Sequence, residues 1–315
     1  MHASPASTTT SSPQARFTIL RQLLQDRLAA DASDFVARAV AEIGAGVDTT
    51  RFSQLIAVAS RHARRRIALE PTPEELTLAR SAQMDVNIPH WNQLEALRVL
   101  LVLAHRDLDQ EAFVEALEQC FRYADEGELC ALYRALPFLP DGARFAWRAG
   151  EGCRSNMRSV FEAVACDSQF PAAHFDDVAW HQLIMKAVFL NAPLWRVHGL
   201  DARLSPELTR MALDFVDERR SAGRPVPPQL WMCLGTHGEE RALNALHTEL
   251  RRGDLRGRRA ALLALARAGQ LAKVHQWLGG WLGDLEPTLA QAHHGDITQA
   301  AFGDLQQETP TKARQ

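Results

Sequence analysis

The sequence predicts an all-α protein built as an irregular array of antiparallel helical hairpins, similar to HEAT or armadillo stacking. Three observations predict it. Ala, Leu, Arg and Glu are abundant, β-branched residues are sparse and tyrosine occurs only twice, a composition that favours helix. Apolar residues recur at three- and four-residue spacing, and no convincing run alternates as a strand does. Capping residues and Gly or Pro stops divide the pattern into segments of about 10 to 18 residues joined by short turns, as packed helical hairpins require.

The elements follow in order. Residues 1–14 are rich in Ser, Thr and Ala and lack a hydrophobic centre. They read as a disordered tail rather than a secretory signal. Phe17, Leu20, Leu24 and Leu28 then share one helical stripe, and so do Phe52, Ile56, Ala59 and Ala63. Gly44 and Gly46 end the helix before the second stripe, and Asp48-Thr49-Thr50 opens it. Pro71-Thr72-Pro73-Glu74-Glu75 supplies a capping Thr, Pro at the first helical position and acids in the first turn. Leu94, Leu97, Leu101 and Ala104 repeat the stripe, followed by Phe113, Leu117 and Phe121. Leu129, Leu132, Tyr133 and Leu136 lead to a stop at Pro137 and Pro140, and Ser205-Pro206-Glu207 opens a further helix.

From Glu239 the hairpin pattern is clearest. Leu243, Leu246 and Leu250 form one helix, broken by Gly253. Leu262, Leu263, Leu265 and Ala266 form another, ended by Gly269, and Leu271 to Trp281 begins a third. No repeat recurs at a fixed period. The domain expectation is one helical domain over 15–284, with a subdivision near 223–228 left open, and a polar, loosely ordered tail over 285–315. Whether the Trp277 and Trp281 pair, one turn apart, packs inside or contacts a partner is left open, core packing being the commoner fate of such residues.

Composition narrows the function. Lys plus Arg number 35 against 38 Asp plus Glu, a balance that argues against nucleic acid as the main partner. The basic runs at Arg61–Arg66 and from Arg251 to Arg259 read as solvated helix faces. Five cysteines without a CxxC pair fit reduced thiols in a cytoplasmic protein, not a disulfide framework or a zinc site. No apolar stretch is long enough to cross a bilayer.

Catalytic patterns are weak. His105-Arg106-Asp107-Leu108 matches the start of a kinase catalytic loop, but Ala112 stands where Asn is required and no glycine-rich loop lies upstream. His293-His294-Gly295-Asp296 lacks a helix-borne partner for a metal. Asp214, Asp217 and Glu218 share a helix face, yet no denser aspartate cluster or second metal motif accompanies them. No metal and no cofactor is expected.

The most distinctive segment runs from Cys153 to Leu190, read as two helices about a turn at Pro171. Met157, Val160, Phe161 and Val164 form the apolar stripe of the first; Trp180, Leu183, Ile184 and Ala187 pack in the second. The polar and aromatic residues Arg154, Asn156, His174, Asp177, Trp180, Gln182 and Lys186 are the candidate ligand- or partner-binding set. Two readings stay open: these groups satisfy turns and caps inside a hairpin, or they line a groove for a polar headgroup or a partner loop. An N-terminal cap with favourable dipole placement accounts for Asp176 and Asp177.

The same segment carries a resemblance. Cys153-Arg154-Ser155-Asn156 through Phe161-Glu162-Ala163, then Pro171-Ala172-Ala173-His174-Phe175-Asp176 and Ala179-Trp180-His181-Gln182 to Lys186-Ala187, resembles the signature of the EboA family. The likeness extends over most of Phe17 to Gly235, with His181 where the family carries Asn. The resemblance implies a metabolite-traffic protein, encoded beside a prenyltransferase-like membrane protein and several enzyme-like proteins that would be its partners. It supplies no catalytic residue. The expectation is therefore a non-catalytic adaptor or carrier in the cytoplasm, held at the inner membrane through a partner. An all-helical enzyme of isoprenoid or small-metabolite chemistry and a purely structural protein-binding scaffold stand as alternatives.

Overall fold

A computed structural model of the chain describes residues 12–279, 282–294 and 297–307. Every named element is an α- or 3-10 helix, and the described residues contain no strand, only an isolated bridge between Ala68 and Asn92. The all-α expectation holds. The chain divides after Phe175 into two compact units, Met1–Phe175 and Asp176–Gln315. This differs from the single domain expected over 15–284 and from the subdivision left open near 223–228. The sequence around Phe175 gives no sign of it, because a loop of ordinary composition joins two short-range caps there.

The first unit holds α1 (Pro13–Gln25), α2 (Ala30–Ala45), α3 (Thr49–Val58), α4 (Pro73–Ser81), α5 (Gln93–Leu103), α6 (Glu111–Tyr123), α7 (Glu126–Ala135), α8 (Ala146–Arg154), α9 (Arg158–Ala165) and α10 (Phe170–His174). Helix α5 is its hub. Ten of its residues are buried, including every one from Ala96 to Leu103. An amphipathic surface helix buries one stripe, so burial all round places α5 inside a ring of partners. Those partners are α1, α2, α3 and α7, and α7 in turn packs on α9.

Local chemistry sets the helix ends as expected. Asp48 caps α3 by accepting from the Arg51 amide at 2.8 Å. Thr72 and Glu75 close a reciprocal capping box at α4, with Pro73 at its first position. Asn92 with Glu95 and Asp125 with Glu128 repeat the box at α5 and α7. Gly46 ends α2 at φ 104°, a backbone region that glycine enters without penalty.

The second unit holds α11 (Asp177–Leu190), α12 (Pro206–Ser221), α13 (Glu239–Arg252), α14 (Leu255–Arg267), α15 (Leu271–Leu278), α16 (Glu286–His294) and α17 (Asp304–Gln307). Helices α13 and α14, joined through Gly253 and Asp254, pack on each other, and α14 also meets α15, α16 and the 3-10 segment Pro228–Cys233. Ser205 caps α12, as its sequence indicates.

The tail expected from 285 onward is corrected. Leu285, Thr288, Leu289, Ala292, Phe302 and Leu305 are buried, and α16 and α17 both contact α14. So few apolar residues are hard to see as a helix pattern, but the elements that carry them pack on the same helix. The Ser/Thr-rich segment 1–11 and residues 308–315 lie outside the described residues, as does Trp281. Trp277 stacks obliquely on His247, with ring centroids 4.6 Å apart.

Candidate functional site

The first block of candidates lies on α8 to α10. Val160, Phe161 and Val164 are buried as the stripe requires, whereas Met157, expected among them, is the exposed cap residue of α9. Helix α8 approaches its neighbours at Gly152, where a Cβ would stand 2.6 Å from the Tyr133 ring and 2.7 Å from a Val164 methyl. That closeness fixes the end of α8, and with it Arg154 and Asn156. Both are exposed. The Arg154 guanidinium pairs with Glu151 at 2.5 Å. His174 ends α10, tilted on Phe170 at 4.6 Å and pressed over Gly142. Burial lowers its pKa, against the pull of Asp141 in the other direction.

The second block opens α11. Asp176 is the N-cap, accepting from the Ala179 amide at 2.8 Å. Asp177, exposed in the first turn, pairs with Arg203 at 2.8 Å. Trp180 is fully buried, with the Arg203 guanidinium 4.7 Å from its ring centre. It holds α11 in place and offers no surface to a docking partner. His181 is buried beside it, its Nε2 3.0 Å from Ser205 Oγ. Gln182 is exposed and Lys186 half-buried, four residues apart on one helix face. Asp177 lies on another face. Arg154, Asn156 and His174 thus belong to the first unit, and Asp177, Trp180, Gln182 and Lys186 to the second.

Comparison with known proteins completes the picture. The family described as metabolite traffic protein EboA matches residues 17–235. The chain belongs to the EboA family. No curated protein and no solved structure matches it. The match covers both candidate blocks and stops short of α13 to α17.

Cavities of this EboA-family chain escaped the sequence reading. One, of about 120 Å³, lies in the first unit among α5, α7 and α9 and is lined by Arg65, Arg98, Arg134, Glu95 and Cys130. Each of its arginines faces a carboxylate: Arg98 meets Glu128 at 3.3 Å, Arg134 meets Glu95 at 3.2 Å and Arg65 meets Glu126 at 3.9 Å. A space this small among mutually paired charges suits a few ordered waters.

Besides a cavity of about 380 Å³ beside Arg210, His237 and Arg241, the second unit holds one of about 410 Å³. Phe189 from α11, Phe215 and Arg219 from α12, the 225–229 segment and the start of α14 line it, with Phe302 and Leu305. Its volume falls in the range of about 300–1,000 Å³ usual for small-molecule sites. The only sequence signal was that Phe189 and Phe215 sit one residue off the buried stripes of their helices.

The weaker motifs resolve as structure. His105 packs between Phe52 and Phe113, which burial favours in its neutral form, and accepts from the Asp107 amide at 3.2 Å. Asp214 and Asp217 are bound by Arg241 at 2.8 and 2.5 Å, and Arg210 holds Asp214 from the other side. Among the described residues no group of His, Cys, Asp or Glu could hold a metal ion, and no helix is long and apolar enough to cross a membrane. Gly295 and Asp296 of the His293 motif lie outside the described residues. Burial pushes the Cys120 and Cys233 thiols up to about 12, which leaves them unreactive at neutral pH.

Proposed function

We propose that this EboA-family chain is a non-catalytic adaptor or carrier in metabolite traffic, which binds a metabolite or docks the proteins encoded beside it at a membrane partner. The observation that carries this reading is the family match over residues 17–235, whose description is metabolite traffic. The exposed and half-buried polar residues of the two signature blocks support it. Arg154 and Asn156 in the first unit, and Gln182 with Lys186 in the second, present donors and acceptors on helices anchored by buried apolar stripes. Trp180 contributes by fixing α11, not by contact.

The test is co-purification from the native host in gentle detergent. Wild type should retain the prenyltransferase-like membrane protein or the enzyme-like proteins of its cluster. A variant combining Arg154→Ala, Asn156→Ala, Gln182→Ala and Lys186→Ala should lose them while melting at the same temperature as wild type. Undiminished capture by that folded variant removes these residues from the docking surface.

A further inference from the structure

We propose that the 410 Å³ cavity of the second unit is the metabolite-binding site, and that it takes an amphipathic anion: an apolar body ending in one carboxylate or phosphate. This deepens the carrier reading and rests on it.

The apolar half of the inference comes from the walls. Phe189 is 73% exposed at the end of α11, and Phe215 is half-buried on α12, so both rings border the cavity with faces the protein leaves uncovered. Phe302 and Leu305, both buried, close the far side. Pro225, Pro227 and Pro228 form a third wall. Proline fixes φ and carries no N–H, so this wall is stiff before a ligand arrives and offers few donors to a polar one. Gln229, the polar residue next along, is already committed: its Oε1 accepts from the Leu194 amide at 3.0 Å and its Nε2 donates to Asn191 Oδ1 at 3.0 Å. A ligand body here meets rings and pyrrolidines.

The anionic half comes from Arg219. Its Nε donates to Pro225 O at 3.0 Å, which ties the side chain to the cavity wall, and its guanidinium lies 6.0 Å from the Phe215 ring centre. Several other arginines of this unit meet carboxylates: Arg210 meets Glu207, Arg220 meets Glu249 and Arg267 meets Asp201. Among the described residues no carboxylate pairs with Arg219, and its two Nη groups make no hydrogen bond. A guanidinium held in place with its fork open is suited to two-point capture of a carboxylate or phosphate. Arg256 also lines the cavity. Asp254, the lone acid of the lining, spends one carboxylate oxygen on capping α14 through the Gly257 amide at 2.7 Å.

The experiment is a calorimetric titration of the full chain with decanoate, decyl phosphate, decanol and inorganic phosphate. At least one decyl anion should saturate at one per chain and bind at least tenfold more tightly than decanol; which anion wins tells carboxylate from phosphate. Inorganic phosphate alone should bind far more weakly than that anion. Arg219→Gln should erase the preference for the anion over decanol, and Arg219→Lys should keep part of it. Phe189→Ser, a change at an exposed position, should weaken every decyl ligand. Decanol binding as tightly as both anions, an anion preference that survives Arg219→Gln, or inorganic phosphate matching the decyl anions would each overturn the proposal. Should it fail while cluster proteins still co-purify, the site falls and the adaptor reading stands.

Discussion

Arg98 shows most sharply what one residue contributes. It is 97% buried on α5, where its Nε donates to Ile56 O at 3.2 Å and its Nη2 reaches Glu128. Burial lowers its pKa, with Glu128 opposing that shift, but a guanidinium stays charged at any physiological pH. Removing Arg98 leaves the Glu128 carboxylate charged without its cationic partner. Arg98→Ala is expected to lower stability by about 3–5 kcal/mol, read as a shift in the urea midpoint. Replacing Arg98 and Glu128 together by Met and Leu should restore most of that loss. Nothing in the sequence marked Arg98, because an arginine on a helix reads as surface until its neighbours are known. Trp180 is the opposite case: its place in the apolar stripe with Leu183, Ile184 and Ala187 predicts the burial observed. Glu75 contributes to the acid response. The Arg27 guanidinium, bonded to both of its oxygens at 2.8 and 2.6 Å, holds its carboxyl below the ordinary range. A depressed carboxyl contributes stability above its unfolded pKa of about 4.3 and loses it as pH falls through the folded value. Glu75→Gln should therefore flatten the decline in melting temperature between neutral and acid pH, and a slope equal to wild type would contradict this.

At the scale of elements, what proved legible was local. Caps at Asp48, Thr72, Asp176 and Ser205 could be read directly, since an N-cap needs only a side chain and an amide three residues on. Thr72→Ala should cost about 1 kcal/mol, seen in the denaturant midpoint. Helix-on-helix packing was less legible. Gly152 looks like a weak point in α8, but it admits the Tyr133 ring and Val164. Gly152→Ala should raise local helix propensity and still destabilise the protein by about 1–3 kcal/mol through overpacking. The segment beyond Leu285 was missed because its order comes from burial against α14, not from its own periodicity. The candidate surface residues were found by pattern, whereas the second-unit cavity draws its walls from residues scattered between Val188 and Leu305, a juxtaposition no local pattern encodes.

For the whole molecule, the family match and the folded units do not coincide. The match ends at Gly235, while the second unit runs on through α13 to α17. Leu230, Trp231 and Met232 are fully buried, the segment they occupy packs on α14, and Arg267 donates to Met232 O at 3.2 Å. A chain ending at Gly235 would expose that apolar surface. It should be degraded rapidly in limited proteolysis, with Trp231 fluorescence shifted toward that of water. The central claim is that this EboA-family chain carries or docks without converting what it binds. Its most direct test is purification of the full chain from its native host in gentle detergent, with mass spectrometry of every protein and small molecule retained. The account predicts proteins of its cluster, or a small molecule that incubation with the purified chain leaves unchanged in mass; a bound molecule that the chain alone turns into a product would contradict it.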